Sequence, residues 1–192
     1  MENEARINIL ARVARSVPAP SGVADAATPV SILCLAAASY GSRPSEDATV
    51  PTGFDPLAAA LFEAIVEGAY LVANADGVFD DEERRAFERV VVAACGGVVA
   101  PQPITALVTD LGDLLQEDGL DRRVEMIART VTKKEHGREI LRVAALLAQV
   151  SDDVSPVERD VLARLAKECN LDPREVDTAL AEAHSALAAA SA

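Results

Sequence analysis

Residues 69–84, AYLVANADGVFDDEER, carry the pattern that decides the fold. A run of small apolar residues ends at an acidic turn, Asn74 to Gly77, and Asp80 then precedes a second apolar-periodic segment with Glu83 three positions later. An N-cap Asp accepts hydrogen bonds from the free N–H groups of the first helical turn, and a Glu three residues on reaches back to the N-cap N–H. The stretch therefore predicts a helix, a tight turn and a second helix.

A similar stretch, AALLAQVSDDVSPVER, occupies residues 144–159. Aligning Glu158 with Glu83 places Ser155 on Asp80, so both stretches carry a capping box after an acidic turn. The two stretches therefore predict two related helical hairpins.

The acidic residues of the two turns are not in perfect register. With the glutamates aligned, Asp76 lies opposite Ser151, so Asp152 is displaced by one residue. The repeat is imperfect, but each turn still supplies at least one carboxylate ahead of its capping box.

The remainder of the second half is also helical by pattern. Further N-cap signals stand at Asp55-Pro56, at Thr132-x-x-Glu135 and at Asp172-Pro173-x-Glu175, and no stretch shows the period of two that is typical of strands. We predict an all-α fold, a compact helical bundle of about seven helices with two pseudo-repeated helical hairpins and an N-terminal helical extension. The predicted helices of the bundle lie near residues 56–74, 81–95, 103–117, 122–132, 133–150, 156–169 and 173–189.

The first part of the chain has a different composition. Residues 1–53 contain an amphipathic helix predicted at 3–17, a short apolar helix predicted at 29–39, and stretches rich in Pro, Ser and Gly that are typical of linkers. We therefore divide the chain into an N-terminal extension, 1–53, and an all-helical domain, 54–192.

Charge excludes two classes of partner. The formal net charge is −13, and 50% of the residues are apolar while only 3% are aromatic. Clustered Lys and Arg, which nucleic acids and anionic membranes require, are missing. The apolar stretch from Val30 to Tyr40 is too short to span a bilayer. We expect no nucleic-acid partner and no direct membrane insertion.

Cysteine usage favours a reducing compartment. Cys34, Cys95 and Cys169 are odd in number and share no metal-site spacing. Arg6 and Arg12 interrupt any apolar run near the N-terminus, so no signal peptide is predicted there. These features predict a cytoplasmic protein.

The two hairpins resemble the TerB-like tellurite-resistance family, which includes the N-terminal domain of DjlA-type co-chaperones. That family is similar in having two related helical hairpins whose turns carry Ala-Asp-Gly followed by Glu. Ala75-Asp76-Gly77 with Glu83 matches this pattern, whereas the second turn has Asp153 in place of the glycine. The resemblance spans roughly residues 57–185.

The resemblance implies a metal site at Asp76, Glu83, Asp152 and Glu158. Carboxylate oxygens suit hard divalent cations, so the cofactor expected there is Ca²⁺, Mg²⁺ or Mn²⁺, with no organic cofactor. The first turn is not a standard EF-hand loop, because its position 1 would be Val72, which has no ligand oxygen.

A purely structural interpretation stays open beside the metal site. Glu83 and Glu158 stand where Glu is favoured by helix capping alone, and Asp76-Gly77 also suits a simple turn. No Ser–His–Asp set, P-loop or dinucleotide motif occurs, so we predict no enzyme. We expect a stress-related accessory module that binds a cation and docks to a protein partner. The alternative is a metal-free interaction domain that uses the helix at 3–17 or an apolar groove.

Overall fold

The hydrophobic periodicity of the chain is realised as helices. The computed structural model describes residues 2–16, 30–43, 53–77, 79–150 and 154–191. Within these ranges the only β pairing is an isolated bridge between Ser16 and Val30, so the predicted all-α fold is confirmed. The helices are α1 Glu2–Arg15, α2 Ile32–Gly41, α3 Pro56–Ala73, α4 Asp81–Ala94, α5 Pro101–Asp118, α6 Leu120–Thr130, α7 Lys134–Leu147, which continues as a 3₁₀ turn Ala148–Val150, α8 Pro156–Glu168 and α9 Arg174–Ser191.

Several of the predicted caps set the helix starts. Asp55 accepts the N–H groups of Leu57 and Ala58 at the start of α3, where Pro56 occupies the first turn. Proline is tolerated there because its missing N–H has no partner in the helix. The seven helices from α3 to α9 match the predicted bundle, with ends within about two residues of the expected positions.

The predicted cap at Thr132-x-x-Glu135 is wrong. The N-cap of α7 is Lys133, which makes no side-chain cap hydrogen bond. Because the helix begins at Lys134, Glu135 occupies the second helical position rather than the third, and Thr132 lies one residue before the N-cap. Thr132 Oγ1 lies instead 3.4 Å from His136 Nδ1.

The start of α9 also differs in detail from the expected pattern. The helix begins at Arg174 rather than Pro173, and Asp172 accepts the Arg174 N–H at 2.9 Å. Glu175 does not complete a capping box but pairs with Arg138 on α7 at 2.7 Å. The ion pair of Glu175 with Arg138 therefore joins the start of the last helix to α7.

The first helices of the two hairpins, α3 and α7, pack against each other at the centre of the molecule. Their contact is close at Gly68, where a β-carbon would lie 2.6 Å from Ile140 Cγ2. Because α3 and α7 run side by side, their C-terminal residues Ala73 and Leu147 reach the same cleft. The packing thus brings the ends of both hairpins together.

Helix α3 is long and apolar enough, by length and composition, to cross a membrane. Most of it is buried inside the bundle, and Glu67 at its centre accepts a hydrogen bond from Arg123 on α6 at 2.6 Å. Burial raises the pKa of Glu67, and the bond from Arg123 opposes that rise. The burial and the ion pair are those of a core helix.

The two N-terminal helices share this core. Leu10 of α1 and Leu33 of α2 are both almost fully buried in the same hydrophobic cluster as α3 and α7. Glu139 of α7 accepts the Leu33 N–H at 3.0 Å and pairs with Arg142 at 2.8 Å. Helices α1 and α2 are therefore packed directly on α3 and α7, and the division of the chain at residue 53 stays a prediction.

Candidate functional site

The two capping-box glutamates lie on one small cleft. Glu83 from the first hairpin and Glu158 from the second both line it, and its volume is about 20 Å³. A space of this size holds about one water molecule or one small cation. Its walls are Ala73, Phe79, Glu83, Phe87, Leu147, Ala148 and Glu158.

Each glutamate is positioned by its own helix start. The Asp80 N–H donates to Glu83 Oε2 at 3.1 Å, and the Glu83 N–H donates to Asp80 Oδ1 at 2.9 Å. The Ser155 N–H donates to Glu158 Oε2 at 2.7 Å, and the Glu158 N–H donates to Ser155 Oγ at 3.2 Å. Both predicted capping boxes are therefore confirmed. A carboxylate has two oxygens, so capping leaves each glutamate able to bind a cation as well.

Aromatic rings form one wall of the cleft. Phe79 and Phe87 meet edge to face with ring centroids 5.9 Å apart, and Tyr70 lies 5.4 Å from Phe79 in the same manner. Edge-to-face packing is a favoured aromatic geometry. Burial raises the pKa of Tyr70. The cluster fixes the entry of α4, and with it the place of Glu83.

Sequence reasoning missed this aromatic cluster. A signal was present, because the chain has six aromatic residues and four of them, Phe62, Tyr70, Phe79 and Phe87, fall within the first hairpin. The second hairpin has no counterpart rings at the aligned positions, where it carries Val154 and the buried Leu162. The two halves of the cleft are therefore chemically unequal.

The four predicted metal ligands do not all lie at the cleft. Glu83 and Glu158 are brought together, whereas Asp76 is exposed on the first turn and is not part of the cleft wall. Gly77 has a φ of 77°, and its N–H donates to Asn74 O at 3.1 Å, as a tight turn requires. Asp152 lies outside the described residues.

The chemistry of the cleft fits a weakly bound hard cation. Two carboxylates supply at most four oxygens, fewer than the six to eight that Ca²⁺ takes. Mg²⁺ commonly keeps several waters and uses one or two carboxylates, which Glu83 and Glu158 can provide. Within the ranges that the structure describes, the cleft included, no group of three or more His, Cys, Asp or Glu side chains could hold a metal ion, so any cation at the cleft would depend on Glu83, Glu158 and water.

A comparison with protein families adds an independent finding. The family model described as tellurite resistance protein TerB matches residues 62–181. The matched residues run from α3 into α9 and include both hairpins, both capping boxes and every residue that lines the cleft. Nothing matches among curated proteins or among solved structures.

Proposed function

Since this chain belongs to the TerB family, whose model matches more than half of it, we propose that it is a non-catalytic accessory module. It binds a divalent cation weakly at the cleft between its hairpins and docks to a protein partner. Cation binding is supported by one observation: Glu83 and Glu158, from two separate hairpins, line the same cleft.

Metal identity follows from the donor set. Coordination by two carboxylates and several waters is more typical of Mg²⁺ and Mn²⁺ than of Ca²⁺. In the sequence Asp76 and Asp152 precede the two capping boxes, and each adds negative charge ahead of its own box. Their part is to raise the local cation concentration or to complete the coordination.

Size and chemistry of the cleft favour binding over catalysis. A volume of about 20 Å³ is far below the roughly 300–1,000 Å³ of a small-molecule substrate pocket. The three cysteines are free thiols, which supports a reducing, cytoplasmic compartment. We place the module in a stress-related role because the matching family is named for tellurite resistance.

Thermal unfolding with added cation tests this function. The chelator-stripped protein is melted with and without Mn²⁺ or Mg²⁺, beside the Asp76→Asn/Asp152→Asn variant. At about 100 times its dissociation constant a bound cation adds roughly 2.7 kcal/mol of stability, which raises the Tm of the unchanged protein. An unchanged Tm with Mg²⁺, Mn²⁺ and Ca²⁺ contradicts the cation half of the proposal.

A second candidate is a metal-free interaction domain. It is favoured by one observation, that both glutamates already satisfy a backbone N–H in their own capping boxes. On that account no cation changes the Tm, but a protein partner still binds. The same melts therefore separate the two candidates.

A further inference from the structure

Helix α1 lies in a groove formed by α4, α7 and α9. It packs across α4 and α9 and touches α7 and the 3₁₀ turn that ends it. Its apolar face, Ile7, Leu10, Ala11 and Ala14, is at most 4% exposed. The family match covers residues 62–181, so α4 and α7 lie within it and α1 does not. The part of α9 that lines a pocket with Val13 of α1, Glu182, Ala183 and Ala186, also lies beyond the match.

Polar contacts hold both ends of α1. The guanidinium of Arg6 donates twice to the carbonyl oxygen of Gln149, from Nε at 3.0 Å and from Nη2 at 2.5 Å. Glu4 pairs with Arg89 of α4 at 3.0 Å, and both side chains are more than half exposed. Exposed pairs of this kind contribute little to stability, about 0–1 kcal/mol.

Arg142 of α7 binds the other end. Its guanidinium donates to the carbonyl oxygens of Val13, Ala14 and Ser16 at the C-terminal end of α1, where the Val13 carbonyl also accepts the Ser16 N–H at 3.3 Å. Arg142 also pairs with Glu139 through two hydrogen bonds, at 2.8 and 3.0 Å.

Departure of α1 would therefore leave no buried charge alone. Arg142 keeps Glu139 as its partner, and Arg6 leaves with the helix. Helix α2 would also stay in place, because Leu33 is held by Glu139 and α2 packs on α3. The cost is the exposure of four apolar side chains of modest size, two of them alanines, and the loss of the Arg15 carbonyl that accepts the Ser31 N–H at 3.0 Å.

We propose that the groove between α4 and α9 is an interaction surface whose present occupant, α1, is exchanged for an amphipathic helix of a protein partner. Helix α1 shows the chemistry that such a partner carries, an Ile/Leu/Ala stripe with an arginine directly before its first residue to bind the Gln149 carbonyl. This inference rests on the protein-docking half of the proposed function and not on the cation half.

Hydrogen exchange on the unaltered full chain tests whether α1 leaves separately. Amides in elements that open locally exchange faster than those that need global unfolding. We expect α1 amides to exchange at least about tenfold faster than those of α3 and α7, while α2 stays protected. Equal protection in α1 and α7 overturns the proposal.

A peptide experiment then tests whether the groove accepts a helix from outside. The probe is a labelled synthetic peptide of residues 2–16, and the receptor is the full chain carrying Leu10→Glu, which disfavours its own α1. A tethered helix competes at millimolar effective concentration, so the peptide should bind this variant at least about tenfold more tightly than the unaltered chain. The control is the same peptide with its own Leu10→Glu substitution, which should not bind.

Three results overturn the exchange. They are no peptide binding to a Leu10→Glu chain that keeps its helical circular dichroism, equal binding of the control peptide, or a dimer in which two copies trade α1. The exchange and peptide measurements are made in the presence of chelator, so their outcome does not depend on whether the protein binds a cation. If the groove does not exchange α1 for another helix, the thermal unfolding measurements with added cation are equally unaffected.

Discussion

Glu83 and Glu158 each accept the N–H of their own N-cap residue through Oε2, and both line one cleft between the hairpins. The capping contact is local and is specified by a motif of four residues. The shared cleft depends on the packing of α3 against α7, which aligns the ends of the two hairpins. A local rule thus places each carboxylate, and tertiary packing pairs them.

Loss of a capping side chain should destabilise the domain measurably. In Ser155→Ala the Glu158 N–H loses its acceptor, which sits at 3.2 Å. We expect a loss of about 1 kcal/mol in the free energy of unfolding, measured by urea denaturation. Ser185→Ala, at an exposed position inside α9, is the matched control and should be neutral or slightly stabilising. Equal effects of both substitutions would show that the cap is not formed.

Close packing of the two central helices gives a second prediction. In Gly68→Ala the new β-carbon would lie 2.6 Å from Ile140 Cγ2. Because the Ile side chain is stiff at that position, α3 and α7 must move apart, and we expect a loss of about 1–3 kcal/mol. Alanine normally stabilises a helix interior relative to glycine, by roughly 0.5–1 kcal/mol. A stabilised Gly68→Ala protein in chemical denaturation therefore contradicts the close contact.

The buried pair of α7 gives a third prediction. Glu139→Ala leaves the Arg142 guanidinium, whose side chain is 11% exposed, without its carboxylate partner. Such a change typically costs about 3–5 kcal/mol, and here the Leu33 N–H also loses its acceptor. Arg159→Ala removes an ion pair on the surface and should cost less than about 1 kcal/mol. Urea unfolding of both variants checks the contrast, and similar losses would contradict the burial of the pair.

Local sequence rules predicted much of the fold. The capping boxes at Asp80 and Ser155 and the seven bundle helices were predictable, because caps and hydrophobic periodicity depend on neighbours a few residues away. The predicted N-cap at Thr132 was wrong because a short capping motif fits several neighbouring registers. The helix begins at Lys134, one residue later than the motif indicated.

Contacts distant in sequence were not predictable in this way. Arg142 joins the end of α1 to the middle of α7, and no local pattern reveals such a contact. The orientation of Asp76 also depends on the packing of the turn, which left it exposed while Glu83 faces the cleft. Glu83 and Glu158 of the sequence repeat line one cleft, whereas the metal site at Asp76, Glu83, Asp152 and Glu158 stays a prediction.

Buried thiols give a fourth prediction, on pH. Burial raises the pKa of Cys95 to about 12 and that of Cys169 to about 11, from an ordinary value of 9.0. Above pH 9 and below the raised pKa values, the thiols ionise in the unfolded protein but keep their protons in the folded protein. Each step up in pH across this range therefore favours the unfolded state. Stability should fall as the pH rises above 9, measured by urea unfolding at pH 8, 9 and 10. The free energy of unfolding should fall less steeply with pH in the Cys95→Ala/Cys169→Ala variant. Identical slopes in the variant and the unaltered protein would contradict the raised thiol pKa values.

The paired glutamates are tested most directly by isothermal titration of the chelator-stripped protein with Mn²⁺ and Mg²⁺. Glu83→Gln/Glu158→Gln removes both charges but keeps the capping hydrogen bonds, since Gln also completes a capping box. The control, Glu82→Gln/Glu117→Gln, removes two exposed charges that do not line the cleft. We predict saturable binding in the unaltered protein and in the control, and none in the folded Glu83→Gln/Glu158→Gln variant. Undiminished binding in that variant, or no binding in the unaltered protein, would contradict the cleft as a cation site.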